Sequence, residues 1–209
     1  MKRYDLITEA EARLMEPGTT VVLAPGGRVT PLAADTLRAR RVTVAGDVAS
    51  VDEASLAPAA DPRVVAIGSD HGGVGLKRAL REHLRGEGRT VIDIGTEGPD
   101  PVDYPDIAAQ VARLVARGEA GAGIVIDGAG LGSAIAANKI DGIRAAMCTD
   151  RTLARYAREH NGANVLALGA TLVDTPGALA IVETFLGTPT REPRYLRRLA
   201  KIARLETQG

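Results

Sequence analysis

From Val64 onward, apolar runs short enough for strands alternate with longer segments in which apolar residues recur at helical spacing. The runs are Val64–Gly68, Thr90–Ile94, Gly123–Ile126, Gly142–Cys148 and Val165–Leu168. Between and after them, helices are expected over Val74–Arg85, with Leu76, Leu80 and Leu84 on one face, and over Ile107–Ala116, Thr152–His160 and Pro176–Leu186. A basic helix, Pro193–Leu205, closes the chain with Leu196, Leu199 and Ile202 on one side. Five strands alternating with helices predict an α/β fold: a doubly wound, parallel, Rossmann-like sheet.

The first part of the chain has a different texture. Thr8 to Glu11 is a capping-box pattern that opens a short helix through Met15. Thr19 to Ala24 is a β-branched strand, with Pro25-Gly26-Gly27 as its closing turn. Thr30-Pro31 then predicts an N-cap and first helical residue, with a helix to about Arg40 and a strand over Arg41–Val44. Residues 1–47 are therefore expected to form a small α/β appendage, residues 48–63 an Ala-, Asp- and Pro-rich linker, and residues 64–209 the main domain.

Composition narrows the function classes. The 209 residues carry 26 Lys and Arg against 26 Asp and Glu, so no net field favours nucleic acid or an anionic membrane. Aromatic residues make up 2%, too few for a base-stacking surface, and the core must be aliphatic. A single Cys148 excludes an internal disulfide framework, and no apolar run reaches membrane-spanning length. A soluble, cytoplasmic protein is expected. Cys148 reads as core, and His83 as a solvated helix residue. Three scattered His and one Cys, without paired ligand spacing, predict no metal site and no cofactor.

In a doubly wound sheet, ligands gather at the carboxyl ends of the strands. The central run ends there in Asp127-Gly-Ala-Gly-Leu-Gly132-Ser133, a carboxylate followed by a Gly-rich turn into a helix. Backbone N–H groups converge on negative charge in such a turn, and a carboxylate beside them suits proton abstraction next to a carbonyl. Two plainer readings compete: a turn that only brings a helix close to the sheet, and a dinucleotide fingerprint, which would need Gly where Ser133 stands.

Three further segments decide between them. Gly68-Ser-Asp70-His71-Gly-Gly, Asp103-Tyr104-Pro105 and Ser133-Ala-Ile-Ala-Ala-Asn138-Lys139 with Gly142-Ile-Arg144 resemble the ribose-5-phosphate isomerase B family, which includes galactose-6-phosphate isomerase subunits. Arg158-Glu-His160-Asn161 and Asn164-Val-Leu-Ala continue the resemblance, which spans about residues 64–207. It implies metal-free aldose–ketose isomerisation of a phosphosugar through an enediolate, with ribose 5-phosphate and ribulose 5-phosphate as the default pair. It also implies a homodimer or homotetramer whose active sites are shared between subunits. Asp127 would be the base and His160 would assist ring opening, with Asp70, His71, Tyr104, Asn138 and Asn161 at the sugar. The loop Gly128, Ala129, Gly130, Gly132 and Ser133 would hold the enediolate oxygen. Arg194 and Arg198, one helical turn apart, would grip the phosphate; without the resemblance they read as a solvated basic face.

The chain also departs from that family. Many members have Cys where Asp127 stands, and another branch has Glu where Ser133 stands. A hydroxyl residue that the family places after the base is Ala129 here, and an Arg used on the phosphate is Thr171. A carboxylate can replace the thiol if burial raises its pKa against the pull of the adjacent N–H groups. These losses leave open a different pentose or hexose phosphate, or a non-catalytic scaffold subunit of the same fold. The appendage, through Ile7-Thr-Glu-Ala-Glu and Val29-Thr-Pro-Leu-Ala-Ala-Asp, resembles the segment opening ethanolamine-utilisation cobalamin adenosyltransferases. That likeness implies microcompartment shell or cargo partners through residues 1–47, and a location inside a bacterial microcompartment.

Overall fold

A computed structural model describes residues 3–46 and 60–207, which fall into two compact units divided between residues 50 and 51. Residue 47 of the expected appendage and residues 48–59 of the expected linker lie outside the described residues.

The first unit runs β1 (Arg3–Ile7), α1 (Glu9–Leu14), β2 (Thr20–Val29), α2 (Pro31–Ala39) and β3 (Thr43–Gly46), with all three strands parallel in the order β1-β2-β3. Thr8 and Glu11 form the expected reciprocal cap, and Thr30 caps α2 ahead of Pro31. Ile7, Ala12, Met15, Ala33, Leu37 and Val42 form a separate small core. Two features differ from the sequence reading. Arg3–Ile7 is a strand, and Pro25-Gly26-Gly27 does not end its neighbour. β2 runs on to Val29 because its register with β1 jumps: Tyr4 pairs with Leu23, and Leu6 with Arg28. The surplus residues of β2 are absorbed as a bulge opposite Asp5, so a Pro-Gly-Gly signal that reads as a turn becomes an irregularity inside a strand.

The second unit holds β4 (Val64–Ser69), α3 (Val74–Gly86), β5 (Thr90–Gly95), α4 (Tyr104–Ala116), β6 (Ala122–Asp127) and α5 (Leu131–Ala137). It continues through β7 (Ala145–Met147), α6 (Arg151–Glu159), β8 (Val165–Gly169), α7 (Thr175–Gly187) and α8 (Pro193–Ala203). The sheet is wholly parallel in the order β5-β4-β6-β8-β7. Strand residues alternate between two cores. Val65, Ile67, Ile124, Ile126, Leu166 and Leu168 pack with α3, α6 and α7, while Ala66, Val125, Val165 and Ala167 pack with α4 and α5. Helices thus cover both faces, as the alternation requires.

β7 is shorter than the expected Gly142–Cys148 run. Gly142 sits at φ +81° in a turn, and the Arg144 N–H donates to the Asn164 side chain rather than to a strand. α4 begins three residues earlier than its apolar period suggests, because Pro105 falls in the first turn, where no N–H is needed. On α3, Lys77 is 1% exposed; its ammonium donates to Asp93 at 2.7 Å, Glu97 at 2.9 Å and the Ile94 carbonyl. Arg81 joins the same two carboxylates. No described helix is long and apolar enough to cross a membrane.

Candidate active site

The chain leaves β4 for β5 on one side and reaches β6 on the other, so a crevice opens at the carboxyl ends of β4 and β6. Ser69 pairs with Ile126, and the Asp70 N–H donates to the Ile126 carbonyl at 3.1 Å, which places Asp70 beside Asp127. Asp70 is buried, and its Oδ1 caps a 3-10 turn by accepting from Gly72 and Gly73 at 2.9 and 3.1 Å. His71 is exposed, with Nδ1 accepting from the Val102 N–H at 3.4 Å, just ahead of α4.

The loop after β6 is closed by its own carboxylate. Asp127 Oδ1 accepts from Ala129 at 2.8 Å and from Gly130, and Oδ2 accepts from the Ser133 N–H at 2.9 Å. Gly130 takes φ +77°, and a Cβ there would lie 2.8 Å from the backbone of Leu168; neither condition suits another residue. The Tyr104 ring lies directly on Gly132, where a Cβ would approach it to 2.5 Å. Just beyond β8, the Thr171 N–H and hydroxyl both donate to the Gly128 carbonyl, at 3.0 and 2.6 Å. Thr171 is thus an anchor of the loop, a role that its position in the sequence does not disclose. Ser69, whose hydroxyl is buried without a partner, also went unmarked in the sequence; its place at the strand end just before Asp70 was the available signal.

Electrostatics run against one expectation. Burial pushes the Asp127 carboxyl up. The Ser133 hydroxyl and the N–H groups of Gly130, Ser133 and Ala129 outweigh it and hold the group below the ordinary aspartate range. A carboxylate raised by burial is therefore not what the structure contains, because short bonds to its own loop win. Cys148 behaves as core: burial first, then the Asp150 charge, pushes its thiol up to about 11.

Other expected site residues lie elsewhere. The Asn138 amide donates to the Ala145 carbonyl and accepts from the Ala145 N–H, at 2.9 and 2.7 Å, so it fastens α5 to β7. His160 caps α6, with its ring stacked on Tyr156 at 4.7 Å and against Tyr195 at 4.5 Å. The Arg194 and Arg198 guanidiniums lie 4.7 and 5.9 Å from the Tyr195 ring centre, and the Asn161 amide donates to the Tyr156 carbonyl. The Tyr156 to His160 spacing was a readable signal for this stack. The cluster sits where α6 hands the chain to the start of β8, whereas Asp127 pairs with Gly169 at that strand's far end. The length of β8, about 13 Å at the usual rise, separates the two groups along the sheet.

A parallel, doubly wound sheet with acidic residues and a Gly-rich turn at its switch point is the architecture of α/β proteins whose ligands gather at the strand ends. The particular kind follows from comparison: the Ribose/Galactose Isomerase family model matches residues 65–202, and the chain belongs to that family. It is 43% identical to ribose-5-phosphate isomerase B of Escherichia coli over 142 residues, which covers 68% of this chain and 95% of the relative. The structure of the Clostridium thermocellum ribose-5-phosphate isomerase B shares 50% identity, with a TM-score of 0.68 over 69% of this chain and 98% of the other. The Mycoplasma genitalium enzyme, solved with bound ribulose-5-phosphate, shares 37% identity and a TM-score of 0.67, covering 70% of this chain and 97% of that one.

Proposed function

We propose that the chain interconverts ribose 5-phosphate and ribulose 5-phosphate through an enediolate. The observation that carries this reading is the meeting of Asp70, His71, Tyr104 and the Asp127 loop at one strand switch point in a member of this isomerase family. In the forward direction, Asp127 accepts the proton from C2 of the open-chain aldose. The C–H electron pair becomes the C1–C2 double bond and the carbonyl oxygen becomes the enediolate oxygen, held on loop N–H groups. The O2 hydroxyl proton then passes to O1, and delivery of a proton from the Asp127 carboxyl to C1, in part after exchange with solvent, yields the ketose.

Ring opening by His160 and phosphate binding by Arg194 and Arg198 require a second copy of the chain. Within one chain these residues gather at the opposite end of β8 from Asp127. The functional particle in this reading is a dimer or tetramer. A monomer at micromolar concentration, seen by size-exclusion chromatography with light scattering, would overturn the shared site. Residues 1–47 act in this reading as a docking segment for a microcompartment partner, supported by the separate core of the first unit. Deleting them should leave the isomerase unit folded and abolish co-purification with shell proteins.

The test of the activity is a coupled assay of purified protein on ribose 5-phosphate. Turnover to ribulose 5-phosphate is expected. Turnover of a different pentose or hexose phosphate alone would change the substrate, and a folded oligomer inert on all of them would favour a scaffold subunit.

A further inference from the structure

The proposed chemistry asks Asp127 for a free acceptor position and asks its loop for free N–H groups, yet here each occupies the other. A carboxylate offers about four acceptor positions. Three are taken by the N–H groups of Ala129, Gly130 and Ser133, and the Ser133 hydroxyl also serves the group. We propose that Asp127 is a self-capped base: the substrate carbonyl oxygen displaces its carboxylate from the loop N–H groups, the displaced carboxylate becomes the proton acceptor, and the same N–H groups then hold the oxyanion that forms. This inference rests on the isomerase reading above.

The surroundings favour such an exchange. The groups holding Asp127 are neutral dipoles, so a substrate carbonyl oxygen can take its place and no cation is left unpaired. The loop backbone need not move. Its start is fixed by Thr171 on the Gly128 carbonyl and by the Ala170 N–H on the Asp127 carbonyl at 2.8 Å, while Gly130 is packed on Leu168. The motion is a rotation of one side chain.

Once off the loop, the carboxylate keeps its burial and loses the bonds that oppose it, so its basicity rises where the sugar proton is to be accepted. The titratable groups packed nearby are Asp70 on the neighbouring strand end, His71 beside it and Tyr104 on the loop. Substrate binding itself would switch the base on, and the unliganded enzyme would hold it inert.

The test is a carbon-13 NMR titration of protein labelled at aspartate carboxyls, with Asp127 assigned by difference from Asp127→Asn. The spectra are taken without ligand and with a phosphorylated hydroxamate that mimics the enediolate. Asp127 should titrate below the ordinary aspartate range in the free protein and shift upward in the complex. In Ser133→Ala the free-protein titration should move upward while that of the complex stays, a pattern that a purely structural role would not produce. A bound hydroxamate with unchanged Asp127 titration in a protein that isomerises ribose 5-phosphate overturns the exchange and leaves the isomerase reading standing. Failure both to bind the hydroxamate and to turn over any phosphosugar overturns the isomerase reading, and the exchange with it.

Discussion

Asp93 and Asp127 are both largely buried carboxylates on parallel strands, and both are held below the ordinary aspartate range, but by opposite means. For Asp93, burial is outweighed by Lys77 and Arg81, two cations on α3 with Glu97 shared between them. For Asp127, burial is outweighed by a hydroxyl and three N–H groups of its own loop. A carboxylate matched to buried cations is committed, since removing either partner strands a charge in low dielectric. One matched to neutral dipoles is replaceable by any other hydrogen-bond acceptor that fits. The first arrangement braces α3 against β5. In the proposed reaction, the second keeps a reactive group in reserve.

The largest expected effect comes from Asp127→Asn. Loss of a general base typically costs about a hundred- to ten-thousand-fold, and kcat for ribose 5-phosphate should fall in that range with modest change in KM. Asn keeps an acceptor for Ala129 and Gly130 but sets an NH2 group against the Ser133 N–H, so circular dichroism must show the variant folded at the assay temperature. A kcat close to the parental value would move the base elsewhere, first to Asp70.

Lys77→Met should act on stability. It leaves Asp93 with Arg81 alone and should cost about 3 kcal/mol, a fall in Tm of roughly 6–12 °C by calorimetry. Activity measured well below that transition should be retained. A Tm unchanged by the substitution would mean that the cation contributes no more than a methionine of similar size.

Smaller still is the pH dependence of stability. Both carboxyls have folded pKa values below their unfolded ones, so their contribution is complete above the unfolded value and is lost as pH falls through the folded value. Urea midpoints should therefore decline with acidification below the ordinary aspartate range. Lys77→Met should reduce the Asp93 share of that slope, and a slope identical in the variant would contradict the assignment.

How much of this was legible beforehand follows from what each signal depends on. The apolar alternation of β4, β6 and β8 reports burial on two faces, and it located the central strands and their carboxyl ends. Asp127, Asp70 and the glycines were readable because turn geometry demands particular residues at particular spacings. The strand β1 was not, because Arg3-Tyr-Asp-Leu-Ile shows one buried residue and takes its shape from pairing with a distant, bulged partner. The self-capping of Asp127 was equally hidden. Whether N–H groups or burial prevail depends on tenths of an ångström in loop geometry, which residue identities do not encode. Asn138 and Thr171 show the same limit, since both turn their polar groups onto backbone that only the folded chain brings near.

The central claim, proton abstraction by a carboxylate in a phosphosugar isomerase, is tested most directly by running the reaction on ribose 5-phosphate in deuterium oxide and following it by proton NMR. Enzyme-dependent deuterium should enter C1 of ribulose 5-phosphate during turnover, and Asp127→Asn should slow its entry in proportion to kcat. Turnover and deuterium entry both undiminished in Asp127→Asn would contradict it.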